Sequence, residues 1–256
     1  MIEITDLYKE FDGVPVLKGI NATFEKGKTS LVIGQSGSGK TVLLKCMLGL
    51  ITPEKGDICY DGRHYDTMTE EEKRNLRKEM GMVFQGGALF DSSTVEENVM
   101  FPLKMFTDQP YSEMLERVNF VLNRVNLENV NDKYPAELSG GMQKRVAIAR
   151  AIVMNPKYLF CDEPNSGLDP KTAIVIDNLI QEITDEYGII TIINSHDMNS
   201  VMEIGEKIIF LKNGVKEWEG TSNEVFKTNN EAITDFVYSS NLFKKVREAQ
   251  LKENDS

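Results

Sequence analysis

Gly34-Gln35-Ser36-Gly37-Ser38-Gly39-Lys40-Thr41 is the stretch on which the fold turns. It matches glycine, four free positions, then Gly-Lys-Ser/Thr, and a pattern that permissive carries weight only in the right surroundings. Before it, the apolar, β-branched run Thr29-Ser30-Leu31-Val32-Ile33 predicts a buried strand. After it, Thr41-Val42-Leu43-Leu44-Lys45-Cys46-Met47-Leu48 predicts a helix that stops near Gly49. Strand, glycine loop, helix is the order a phosphate cradle needs: glycines let backbone N–H groups turn inward, and the helix end adds partial positive charge. Residues Gly34, Gln35, Ser36, Gly37, Ser38, Gly39, Lys40, Thr41 and Val42 are therefore candidate ATP-binding positions. Lys40 is expected to reach the β- and γ-phosphates, and the Thr41 hydroxyl to hold Mg²⁺.

Two later strand ends strengthen that expectation. Tyr158-Leu159-Phe160-Cys161 is an apolar run that delivers Asp162 and Glu163 at its C-terminal edge, where open α/β sheets bind ligands. Two adjacent acids have separable tasks there: Asp162 binds Mg²⁺ through its water shell, and Glu163 orients or deprotonates the attacking water. The run Gly188-Ile189-Ile190-Thr191-Ile192-Ile193-Asn194-Ser195 predicts a third strand, ending at His196. An imidazole at that edge is placed to hydrogen-bond a γ-phosphate oxygen or the catalytic water. His64, in a polar segment before the charged stretch 69–78, reads as an ordinary surface histidine.

Composition narrows the class. With 256 residues the chain is long enough for a substantial core in one or two domains. No run approaches the ~20 consecutive apolar residues that span a bilayer, and the acidic start Met1-Ile2-Glu3 lacks a signal peptide's basic and apolar regions, so a cytosolic protein is expected. Cys46, Cys59 and Cys161 lie in apolar segments without metal-ligand spacing and read as reduced core thiols. A net charge of −11 argues against wrapping nucleic acid.

The organisation reads as an α/β core, residues 1–236, with a helical subdomain inserted at about 93–155 and a tail at 237–256. Thr94-Val95-Glu96-Glu97 is a capping box opening one helix, and Met114, Val118, Val121, Leu122 and Val125 form the apolar stripe of another. Ile176, Leu179, Ile180 and Ile183 line a helix that covers the sheet. Strand and helix alternation implies a mostly parallel sheet with right-handed crossovers, and Asn213-Gly214 predicts a tight hairpin. The charged tail after about Val237 reads as a short helix, a dimer contact or disorder.

Leu138-Ser139-Gly140-Gly141-Met142-Gln143 carries the resemblance: the chain looks like the nucleotide-binding subunit of an ABC transporter, over nearly its whole length to the Trp218 region. The segment is similar to that family's LSGGQ signature, with Met142 where glutamine is frequent. Physically, Ser139 followed by two glycines caps a helix expected over 143–154, a second helix N-terminus able to bind phosphate. The resemblance implies a P-loop NTPase, RecA-like core with an antiparallel β part, binding ATP and Mg²⁺. It implies that Ser139, Gly140, Gly141, Met142 and Gln143 grip ATP held by a second copy of the chain. It further implies that Phe11, rather than nearby Tyr8, stacks on adenine and that Gln85 contacts Mg²⁺ and water. Asp169, in Ser166-Gly167-Leu168-Asp169, would link the two sites across the dimer. Glu163, His196 and Gln85 form the implied catalytic set, complete enough for an active ATPase. Asn165 and Ser195 depart from the usual family residues, outside the reacting groups.

Residues 84–103, including Gly86-Gly87-Ala88-Leu89-Phe90-Asp91-Ser92 and Thr94-Val95-Glu96-Glu97-Asn98-Val99, are similar to the ATPases of Mla-type phospholipid transporters, which work with MCE-type lipid-binding proteins. That resemblance implies a membrane permease docking on the Gln85 to Val99 region, with Leu89 and Phe90 as apolar contacts, at the cytoplasmic face of the inner membrane. The alternatives are an ABC ATPase for another solute, such as amino acids or lipoproteins, and one that drives a cytosolic or cell-division assembly.

Overall fold

The computed structural model describes residues 1–238; expectations for the tail fall beyond Tyr238, outside the described residues. Along the chain run β1 (Ile2–Phe11), β2 (Val14–Phe24), β3 (Lys28–Ile33), α1 (Lys40–Met47), β4 (Lys55–Tyr60), β5 (Arg63–His64), α2 (Glu70–Lys78) and β6 (Met80–Val83). Then come α3 (Val95–Phe106), α4 (Tyr111–Arg124), α5 (Gly140–Ile152), β7 (Tyr158–Asp162), α6 (Pro170–Tyr187), β8 (Ile190–Ser195) and α7 (Met198–Ile204). The last elements are β9 (Lys207–Lys212), β10 (Val215–Gly220), α8 (Ser222–Val225) and α9 (Glu231–Val237).

The strands form two sheets. One is six-stranded in the order β10-β9-β3-β8-β7-β6, parallel except for the β9–β10 hairpin. The other is four-stranded and antiparallel, in the order β2-β1-β4-β5. Alternation along each central strand decides which of two cores a residue enters. Leu31, Ile33, Leu159, Cys161, Ile193, Ile208 and Phe210 face α3 to α6. Their neighbours Val32, Tyr158, Phe160, Ile192, Ile209 and Leu211 face α1 and the antiparallel sheet. Both faces are covered, so these strands appear in the sequence as continuous apolar runs. Register then aligns the strand ends: Ile33 pairs with Ser195, and Asp162 with Asn194. The glycine loop, the acid pair and His196 are thereby delivered to one edge.

The residues of 95–152 form three packed helices. Thr94 accepts from the Glu97 N–H at 3.3 Å while the Glu97 carboxylate accepts from the Thr94 N–H at 2.9 Å, the expected capping box. Met114, Val118, Val121, Leu122 and Val125 are all buried. Asn98, wholly buried on α3, donates to the carbonyls of Phe90, Ser93 and Thr94 and accepts from the Phe90 N–H at 2.7 Å. One amide thus holds the loop that precedes its own helix.

The structure moves several boundaries. The third strand starts at Ile190 rather than Gly188, because Gly188, at φ 57°, ends α6 in the left-handed conformation. The signature helix starts at Gly140 and ends at Ile152, earlier at both ends than the 143–154 expected, because Ser139 caps it directly. The charged stretch 69–78 is helix α2, opened by a Thr69/Glu72 capping box. Asn213 and Gly214 turn the β9–β10 hairpin with φ of 52° and 81°, the positive pair that the tight two-residue turn requires. The three cysteines are free and buried, and burial pushes the Cys46 thiol up to about 11, which keeps it neutral.

Candidate functional site

At the C-terminal edge of the six-stranded sheet lies an open cavity of about 660 Å³, lined by Ser36, Gly37, Lys40, Thr41, Gln85, Glu163 and His196 among others. The glycine loop forms its floor. Gly34, at φ 153°, runs so close to β9 that a Cβ there would collide with the Leu211 carbonyl oxygen, so only glycine lets the loop lie on the sheet. Gly39 caps α1 without a side-chain hydrogen bond, and α1 has no acidic residue in its first turn. The first N–H groups of that helix are therefore available to an anion.

Lys40 is 7% exposed and donates to its own loop, to the Gly34 carbonyl at 2.8 Å and the Gln35 carbonyl at 3.2 Å. Burial pushes its ammonium below the usual lysine range, while the charges of Glu163 and Asp162 oppose the shift. The Ser38 hydroxyl is buried without a hydrogen-bond partner. An ammonium held only by carbonyls, an unmatched hydroxyl and free helix N–H groups together fit a phosphate chain.

Thr41 Oγ1 donates to Asp162 Oδ1 at 3.3 Å, and Asn194 Nδ2 donates to the same oxygen at 2.9 Å. Among the described residues no cluster of three or more His, Cys, Asp or Glu side chains could hold a metal. One hydroxyl and one carboxylate nevertheless suit Mg²⁺, which keeps waters and takes phosphate oxygens for its remaining positions. Gln85, the third residue expected at the metal, donates its amide to Glu163 Oε2 at 2.8 Å. His196 Nδ1 lies 2.9 Å from Glu163 Oε1. Each oxygen of Glu163 thus has one partner, from β6's end and β8's end respectively.

Other expected residues lie apart. The Phe11 ring, 43% exposed, is covered by the Lys9 ammonium at 5.0 Å, and neither Phe11 nor Tyr8 lines the cavity; Val16 of β2 does. Ser139, Gly140, Gly141, Met142 and Gln143 lie off this cavity, at the start of α5, where Ser139 Oγ accepts from the Met142 N–H at 3.3 Å. A Cβ on Gly141 would come within 2.8 Å of Thr172 Cγ2, so its backbone packs against α6. Asp169 caps α6, accepting from the Lys171 and Thr172 N–H groups at 3.1 Å, which with the Thr172 hydroxyl holds its carboxyl below the usual range.

Sequence reasoning passed over several supporting residues. Asn194 fixes Asp162, and its carbonyl accepts from the Glu163 N–H at 3.0 Å. Its signal was a lone amide inside an apolar strand. Lys144 donates to the Gln85 carbonyl, and Arg150 donates to the Gly87 and Ala88 carbonyls at 2.6 and 2.8 Å. No local pattern announces those two.

A second depression, about 370 Å³, is apolar and lined by Met80, Met82, Phe90, Phe101, Pro102 and Phe106 among others. Phe90 and Phe101 meet edge-to-face with centroids 4.9 Å apart, and both are more than 40% exposed. Leu89 is partly buried, packs against the helical core and does not line this depression, whereas Phe90 does. Twelve of its fourteen lining residues lie outside 85–99. Apart from Phe84 and Met154 they come from α2, β6, α3 and the end of α5, so the groove is assembled between elements rather than from the 85–99 segment.

Comparison with known proteins places these features. A family model described as "ABC transporter" matches residues 17–166. The methionine import ATP-binding protein MetN of Protochlamydia amoebophila is 40% identical over 233 residues, covering 88% of this chain and 68% of that protein. A dimeric post-hydrolysis structure of the ATP-binding cassette MJ0796 bound to ADP and Pi matches with a TM-score of 0.78 at 31% identity, over 87% of this chain and 99% of that one. CbiO1 of Clostridium perfringens, part of the ABC transporter complex CbiONQ, matches with a TM-score of 0.82 at 31% identity, over 96% of this chain and 98% of that one. The chain therefore belongs to the ABC transporter family, as an ATPase with that family's cassette fold.

Proposed function

We propose that this chain is the ATP-hydrolysing subunit of an ABC transporter, working as a pair of identical copies that enclose two ATP molecules. The observation that carries the reading is the convergence of Lys40, Thr41, Glu163, Gln85 and His196 on one open cavity of about 660 Å³, with Asp162 bonded to Thr41 at its edge. Lys40 and the loop N–H groups hold the β- and γ-phosphates. Thr41 and Asp162 would hold Mg²⁺, which neutralises charge on the phosphates when bound. Glu163 takes the proton as a water oxygen bonds to the γ-phosphorus, and the bond to the β-phosphate oxygen breaks with its electron pair leaving on ADP. Gln85 and His196 orient the Glu163 carboxylate, and His196, which lines the same cavity, would hydrogen-bond the γ-phosphate. The start of α5 in the second copy closes over that phosphate, and Asp169 lies beside the same closure.

The apolar groove beside the site is the docking place we assign to the membrane permease. Its aromatic wall includes Phe84, which adjoins Gln85 in the chain, and this adjacency is the link we assign between the nucleotide cavity and the groove. Among the described residues no helix is long and apolar enough to cross a membrane, consistent with a peripheral position on the permease.

Relatives named for methionine import support an importer of a small solute. They favour that reading over phospholipid transport with an MCE-type partner, which rests on the resemblance of residues 84–103 alone. The test is affinity purification of tagged Glu163→Gln from gently solubilised membranes with ATP present, followed by mass spectrometry. A permease with a solute-binding protein supports the importer, and a permease with an MCE-type protein restores the lipid reading. Soluble partners alone would remove transport.

A further inference from the structure

Glu163 holds φ 48°, a left-handed conformation that a glutamate adopts only when its surroundings impose it. Its own backbone has limited means to do so: the N–H donates to Asn194 and the carbonyl accepts from the Ser166 N–H at 3.2 Å. Two residues on, Asn165 provides an anchor. Its amide donates to the two oxygens of Asp177 on α6 at 3.4 and 3.2 Å, and to Ser200 Oγ on α7 at 2.8 Å. All three side chains are at least nine-tenths buried, with Asn165 9%, Asp177 2% and Ser200 1% exposed.

A buried polar cluster of this kind specifies one arrangement, because any other leaves its members unmatched. It joins three pieces of chain: the loop that follows Glu163, the helix that Asp169 caps, and the helix that begins two residues after His196. Asp177 gains no cationic partner among the described residues. Burial pushes its carboxyl up to about 6, the hydrogen bonds from Ser200 and Asn165 oppose the rise, and the charges of Asp197, the cap of α7, and Glu203 on α7 add to it. On β7, the neighbouring titratable group is the Cys161 thiol, itself pushed up first by burial and then by Asp177.

We propose that Asn165, Asp177 and Ser200 form a positioning ring that holds Glu163 in its left-handed conformation and in register with His196. The proposal rests on the reading of Glu163 as the hydrolytic base. These are positioning residues; none touches the cavity.

The test uses the full chain and four readouts: kcat, KM, affinity for a fluorescent ATP analogue, and the pH profile of kcat. Asn165→Leu keeps the shape and removes the donor; kcat is expected to fall by about 10- to 100-fold, the scale of a misplaced reacting group, with KM and analogue affinity within about threefold. Asp177→Asn keeps an acceptor for Asn165 and removes the titration. Asp177 is charged above about pH 6 and protonated below it, so the wild-type ring loses an acceptor as pH falls through that value. Asp177→Asn is therefore expected to flatten the acid limb of the profile. Turnover of Asn165→Leu within twofold of wild type overturns the proposal, as does a parallel loss of kcat and analogue affinity. A profile of Asp177→Asn that superimposes on wild type also overturns it, and decides alone if Asn165→Leu fails to fold. Wild-type turnover by Glu163→Gln would instead sink the assignment of the base, and the ring's purpose with it.

Discussion

Two helix N-termini in this chain, those of α1 and α5, carry glycines at or beside the cap, and they are finished to different degrees. The first turns of α1 and α5 both lack acidic side chains, whereas α2 and α3 carry glutamates there, one of which in each helix accepts from the N–H of the threonine cap. Around α1 the same chain adds a buried lysine, a hydroxyl, an acid pair, a glutamine and a histidine. Around α5 the Ser139 hydroxyl accepts from the Met142 N–H, the Gln143 amide donates to the Pro135 and Leu138 carbonyls, and buried Lys144 donates to the Gln85 carbonyl. These groups are engaged within the chain; Ser139 and Gly140 are exposed and do not line the cavity of their own chain. A helix end alone offers a partial charge of about half a unit, enough to attract an anion and too little to process one. The contrast is that α1 gathers its charged and polar partners within one chain, while α5 gathers no such set at its exposed start, as the proposed pairing of two copies requires.

The largest expected effect tests the completeness of the first end. Glu163→Gln should lower kcat by about 10²- to 10⁴-fold, the usual worth of a positioned base, while retaining ATP binding; steady-state hydrolysis and a binding titration check both. The second end breaks differently. Ser139→Phe should lower kcat by about 10²- to 10³-fold, the loss seen when donors to a developing oxyanion are removed, with ATP affinity of the isolated chain unchanged. Mixing Ser139→Phe with Lys40→Ala should restore part of the lost hydrolysis, because one composite site then has both ends intact. No recovery in the mixture would mean that the two ends serve one chain.

Lys40→Ala on its own should weaken ATP binding by about 10- to 100-fold, the size of a lost charge-assisted hydrogen bond, and calorimetric titration reads it directly. The smallest effect belongs to a control end. The Thr94 hydroxyl accepts from the Glu97 N–H at the start of α3 and does not line the nucleotide cavity, so Thr94→Ala should cost about 1 kcal/mol in denaturant unfolding and leave hydrolysis per folded molecule unchanged.

Features that depend on neighbours in sequence were legible without the structure. The glycine loop and its flanks, the acids ending an apolar run, the Thr94 capping box and the stripe Met114 to Val125 each lie within one turn, strand or helix face. Local backbone geometry and side-chain period dictate them. The charged segment 69–78 shows the same signal overlooked: Thr69 and Glu72 spell a capping box as plainly as Thr94 and Glu97 do.

The rest required the tertiary structure, for a physical reason. Lys144 bonding to the Gln85 carbonyl, Arg150 gathering the Gly87 and Ala88 carbonyls, and Asn165 meeting Asp177 and Ser200 join residues that are distant along the chain. Such pairs have no period and no spacing, because packing of one element on another selects them. The same holds for the docking groove, assembled from β6, α3 and the end of α5. The amino-acid sequence by itself determined the ATP-hydrolysing edge, since strand, glycine loop and carboxylates are local and chemically specific. Packing decided how that edge is braced and where a partner can sit, since burial and hydrogen-bond matching act between elements that only the folded chain brings together.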